Sequence, residues 1–115
     1  MIFSKQLKTT YRIRRNRVYD SCRTETAGTL SAVRFQSDTP ALSDTRFDVL
    51  LDGDSIFVDP DTRPLMAEGE YVVFDAALNV SVTEGQLLEF VAQPTGPASG
   101  VGYSLYTTIK IDDNN

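Results

Sequence analysis

Apolar and polar residues alternate with a period of two along most of the chain. Phe47, Val49 and Leu51 alternate with Asp48, Leu50 and Asp52, and Leu78, Val80 and Val82 alternate with Asn79, Ser81 and Thr83. The longest such run lies near the C-terminal end. There Val101, Tyr103, Leu105, Thr107, Ile109 and Ile111 alternate with Gly102, Ser104, Tyr106, Thr108, Lys110 and Asp112. Successive side chains of a strand point to opposite faces, so the pattern predicts half-buried antiparallel strands with one wet face. No stretch sustains the i, i+3, i+4, i+7 apolar spacing of a helix, and the window from Thr62 to Phe74 is broken by Pro64 and Gly69.

Turn residues punctuate these runs at the spacing of a sandwich or barrel. Asp52-Gly53 is the strongest hairpin signal, because a tight turn there needs positive φ. Glu84-Gly85 is expected to join Leu78–Thr83 to Gln86–Ala92, while Thr39–Asp44 and Pro94–Gly100 read as longer loops. Seven or eight strands are predicted, over roughly 11–19, 29–36, 46–51, 55–59, 70–75, 77–83, 86–93 and 101–111. The expected fold is all-β, an antiparallel sandwich over residues 28–111. A basic arm or edge strand (1–27) precedes it and a polar tail (112–115) follows. At 115 residues, such a domain can bury one core without a metal or disulfide.

Charge changes this picture by being segregated. Residues 1–34 carry eight cations against two acids, a net +6; residues 35–115 carry three against 14, a net −11, and together these make the overall −5. In Tyr11-Arg12-Ile13-Arg14-Arg15-Asn16-Arg17-Val18-Tyr19 both strand faces carry arginine, and burying Arg15 or Arg17 in a dry core would carry a large desolvation cost. Tyr11, Arg12, Arg14, Arg15, Arg17 and Tyr19 are therefore the candidate partner-binding residues, as an edge strand, an arm, or a strand paired outside the monomer. Arginine mixed with tyrosine also suits single-stranded nucleic acid, but the acidic remainder would repel phosphate. A protein partner, including another copy of the chain, fits the charges better.

Catalytic and metal chemistry finds little support. The absence of histidine removes the commonest general base and triad member, and a single cysteine excludes Cys/His metal sites. No phosphate-binding glycine loop or nucleophile elbow is present. No enzyme activity and no cofactor are expected. Asp52, Asp54, Asp59 and Asp61 crowd one hairpin and its exit; they read as turn residues or as a calcium site whose spacing does not match an EF-hand. Cys22 reads as a small buried residue or as a thiol for an intermolecular bridge. Most aromatics fall on apolar strand positions and are assigned to the core, with Tyr106 on the wet face. No apolar run approaches a membrane span, and residues 1–5 lack a signal-peptide pattern, which predicts a soluble chain made in a cytoplasm.

With the strands placed, the series Gly28–Arg34, Phe47–Phe57, Arg63–Gly69, Leu78–Val91 and Tyr103–Ile111 resembles a module of tailed-bacteriophage structural proteins. In phage, similar jelly-roll or related sandwich domains serve as head decoration (capsid cement) proteins and as tail or baseplate appendages. The resemblance implies a jelly-roll virion component on the capsid exterior, without catalysis. It would bind the major capsid protein and itself, as a homotrimer, across capsid subunits. The alternative it implies is a tail or baseplate component binding host-surface carbohydrate.

Overall fold

The computed structural model describes residues 2–10, 12–95 and 104–113. In chain order its strands are β1 (Ile2–Thr9), β2 (Arg17–Arg23), β3 (Gly28–Ser37), β4 (Thr45–Leu51) and β5 (Asp54–Ser55). After a 3-10 turn at Pro60–Thr62 come β6 (Leu65–Met66), β7 (Val72–Asp75), β8 (Val80–Val82), β9 (Leu87–Pro94) and β10 (Leu105–Asp112). They form two antiparallel sheets packed as a sandwich. The first has the order β1-β10-β3-β7, with β8 pairing further along β3; the second has the order β2-β9-β4-β5, with β6 also on β4. The long strands change sheet from one to the next: β1 lies in the first, β2 in the second, β3 in the first, β4 in the second.

Alternation explains the core. Leu30, Val33 and Phe35 of β3 and Leu105, Ile109 and Ile111 of β10 face Phe47 and Val49 of β4 and Leu88, Phe90 and Ala92 of β9, all buried. The sheets meet where Phe35 stacks on Phe47, with ring centroids 4.3 Å apart and planes 15° from parallel. Tyr19 meets Phe47 edge-on at 6.4 Å and ties its hydroxyl to Thr107 Oγ1 at 2.7 Å, which satisfies the polar tip of a buried ring. The ring turns inward at a bulge, where the β2–β9 register shifts between Val18 and Asp20.

The Asp52-Gly53 hairpin is present, with φ of 49° and 92° at its two turn residues. Several expected boundaries move. The strand expected over 11–19 is instead mostly a connection from β1 to β2, in which Ile13 is buried, and only its last residues, from Arg17, belong to β2. Arginines on alternate faces cannot enter the core, so only Ile13 turns in and the chain crosses there from one sheet to the other. No separate arm precedes the sandwich among the described residues: β1 and β2 are edge strands, one in each sheet. The strand expected over 55–59 shrinks to two residues, since Pro60 and the Asp59 cap begin a 3-10 turn. The segment 77–83 shortens to β8, and it leads through Glu84-Gly85 to the other sheet rather than to a hairpin partner. Residues 96–103, including Tyr103, lie outside the described residues.

Candidate interaction surface

Arg14, Arg15 and Asn16 form an exposed turn that leads into Arg17, the exposed first residue of β2. Fully buried Ile13 fixes one side of the turn and buried Tyr19 the other. The core thus positions three guanidinium groups at one end of the sandwich. Arg12 is half-buried beside Ile13, and Tyr11 lies outside the described residues. Tyr19, expected on the same surface, is a core residue at 7% exposure and is removed from the site. Its hydroxyl partner and its bulge could not be read from a sequence in which it simply follows an arginine run.

A second cationic element was missed at the sequence level. The outward positions of the first sheet alternate with its core positions, and the register lines them up in rows. One row is Lys8, Tyr106, Gln36 and Val72; the next is Gln6, Thr108, Arg34 and Phe74. The Lys8 ammonium lies 5.6 Å from the Tyr106 ring centroid, within cation–π range, at the end of β1 from which the arginine turn departs. Lys110 stands further along β10 and is exposed. Phe74 (65% exposed) and Tyr71 (53%), expected in the core, are surface residues instead: Phe74 takes an outward position of the edge strand β7, and Tyr71 lies just before that strand begins.

At the opposite end, an open cleft of about 400 Å³ is lined by Leu51, Asp52, Asp54, Ser55, Ile56, Val80 and Gln86. Asp52 is already engaged there by hydrogen bonds. Its carboxylate accepts the Leu87 N–H and the Gln86 side-chain amide, both at 2.9 Å, and these bonds hold its pKa below the usual carboxylate value. Asp59 is similarly engaged, accepting the Asp61 N–H at 2.9 Å as the cap of the 3-10 turn. Among the described residues no three acidic or cysteine side chains are grouped so that they could hold a metal ion. Cys22 is buried, and burial pushes its thiol pKa up, away from the reactive thiolate. No helix among the described residues is long and apolar enough to cross a membrane.

The arrangement gathers cationic and aromatic groups at the surface. It presents a fixed arginine turn and a mixed cationic and aromatic sheet face on a chain of net charge −5. No protein-family model matches the sequence, and no curated protein matches it. Among solved structures, the chain is similar to part of a serine protease of Aeromonas sobria, with 8% identity over 97% of this chain and a TM-score of 0.46. It is also similar to part of a beta-glucosidase from Paenibacillus barengoltzii, with 16% identity over 91% of this chain and a TM-score of 0.48. The chain spans 27% and 10% of the lengths of those two proteins.

Proposed function

We propose that this protein is a non-enzymatic virion component, a capsid decoration protein that binds across neighbouring capsid subunits and reinforces a phage head. The observation that carries the reading is the arginine turn, Arg14, Arg15 and Arg17, held outward by the buried anchors Ile13 and Tyr19. Such a cluster favours an acidic protein surface, and many modest contacts repeated by symmetry add up through multivalency. The strand orders β1-β10-β3-β7 and β2-β9-β4-β5 support the jelly-roll form of the sandwich, which viral capsid domains use. A second reading, a tail or baseplate component that binds host carbohydrate, is favoured by the exposed aromatics Tyr71 and Phe74.

The deciding experiment is quantitative mass spectrometry of purified particles, counting this chain against the major capsid protein. On the order of hundreds of copies, as icosahedral symmetry requires, supports head decoration. A handful moves the protein to the tail, where glycan-array binding then tests the second reading. Absence from particles refutes both. If it is present, Arg14→Glu/Arg15→Glu protein should decorate stripped heads less well, and the defect should shrink as salt rises; a salt-independent defect rules out an electrostatic contact.

A further inference from the structure

A sheet edge presents unpaired N–H and C=O groups, and proteins usually blunt such edges with charge, bulges or brevity. In the second sheet, β2 carries Arg17, Asp20 and Arg23 and a bulge, while β5 and β6 are two residues each. The β7 edge of the first sheet is less protected: Val72–Asp75 is four residues long, its register with β3 has no shift, and its one charge is Asp75 at the end. It displays Tyr71, Val72 and Phe74 at 53%, 38% and 65% exposure.

The hydrogen-bond phase of this edge can be derived. Ser37 N–H donates to the Tyr71 carbonyl at 2.7 Å, so the hydrogen-bonded pairs of β3 and β7 are Ser37–Tyr71, Phe35–Val73 and Val33–Asp75. Val72 and Phe74 therefore turn their N–H and C=O away from β3, toward the open edge. Carrying the alternation through β3 and β10 pairs Arg34 with Thr108, then Thr107 with Leu7 and Ile109 with Lys5. Gln6 and Lys8 thus turn their backbone groups toward the free edge of β1. The strand order makes β1 and β7 antiparallel to each other, so the β1 of another copy continues the alternation when laid beside β7.

Charge selects this occupant. β1 carries Lys5 and Lys8 and no acid, whereas β7 and the residues that lead into it carry Glu70 and Asp75 and no cation. Pairing β7 with another β7 would set no cation beside either Glu70 or Asp75. Pairing Val72 and Phe74 with Lys8 and Gln6 of a second copy keeps core-side and outward positions matched. It also sets Lys5 of that copy opposite Asp75 and its Lys8 diagonal to Glu70.

We propose that the β7 edge of one copy takes up the β1 edge of a second, extending the first sheet from molecule to molecule. The contact is heterologous, so repetition closes into a ring or grows as an open chain. It does not depend on the function proposed above.

Sedimentation velocity of the full chain, from about 1 µM to about 1 mM at low and high salt, tests it. The wild-type protein should associate as concentration rises, and less so at high salt. Phe74→Pro removes an edge-facing N–H and an exposed ring but no bond to β3, so it should stay folded by circular dichroism and remain monomeric. Lys8→Glu should weaken association about tenfold, and adding Glu70→Lys should restore it. The singles and the double are also compared in melting temperature, because Glu70→Lys forfeits the bond its carboxylate accepts from the Ala67 N–H. A wild type that is monomeric throughout, association that survives Phe74→Pro, or a double variant no better than Lys8→Glu would each overturn the proposal.

Discussion

The guanidinium of Arg63 lies 3.3 Å from the carboxylate of Asp48, whose side chain is only 5% exposed although it projects from the outer side of its sheet. Ser55 Oγ (2.7 Å) and the Val49 N–H (2.8 Å) also donate to that carboxylate, and Arg63 reaches on to Gln93 at 3.1 Å. The segment between β4 and β6 is thereby clipped back over the sheet by one buried acid. Arg63→Met should destabilise the fold by about 2–3 kcal/mol, somewhat below the cost of breaking a fully buried pair because Arg63 remains 19% exposed. Adding Asp48→Asn should recover most of that loss. Urea denaturation of both variants checks it; a double variant as unstable as Arg63→Met alone would refute the charge argument.

Gly28 allows β3 to approach the end of β10 where its register shifts between Lys110 and Ile111. A methyl group at this position would collide with the backbone carbonyl of Asp112, which cannot rotate aside. Gly28→Ala should therefore cost about 1–3 kcal/mol, in the range of an overpacked site. A melting temperature unchanged from the wild type would show that the two strands part without strain.

Asp52 links stability to acid pH. Its bonds from Leu87 and Gln86 favour the ionised carboxylate, so its folded pKa lies below the ordinary value of 3.8. The stability it contributes is present above the unfolded pKa and is lost as pH falls through the folded one. Asp52→Asn keeps a residue tolerant of the positive φ while removing the titration. The variant should lose less stability than the wild type between pH about 5 and pH about 2, as measured by denaturant midpoints. Equal losses would mean that the hairpin bonds do not discriminate between the protonation states.

Cys22 should behave as a core residue. Burial raises its thiol pKa, with Lys5 pulling weakly the other way. The protonated thiol favours the fold below the unfolded pKa, and this contribution is lost as pH rises through the raised one. Alkylation by iodoacetamide at pH about 8 should be slow in the native protein and fast in urea. Native labelling as fast as that of a free thiol would place the side chain at the surface.

The sandwich was legible because period-two alternation in β4, β8 and β10 is decided by which face is wet, a property local to each strand. The Asp52-Gly53 turn was legible for the same reason. β1 was missed because Lys5 occupies a core-side position and breaks the Phe3–Leu7 alternation. It succeeds there by reaching over the rim to Glu25 at 3.3 Å, a partner 20 residues away. The arginine turn was located in sequence, but its rigidity was not, since Ile13 and Tyr19 anchor it through contacts with distant strands. Phe74 was assigned to the core because hydrophobicity alone cannot tell an edge strand from a central one.

The pairing of β10 between β1 and β3 also sets the order of events during synthesis. The N-terminal and C-terminal strands of the sandwich lie side by side, in register from Ile2–Asp112 to Thr9–Leu105. A nascent chain can pair β2, β9 and β4 in the second sheet while the first still lacks its middle. Until β10 emerges, β1 and the facing side of β3 have no strand between them, and Phe35 and Leu30 have only half their cover. Completion of the first sheet is thus a late, long-range step, with the slow kinetics that non-local pairing imposes.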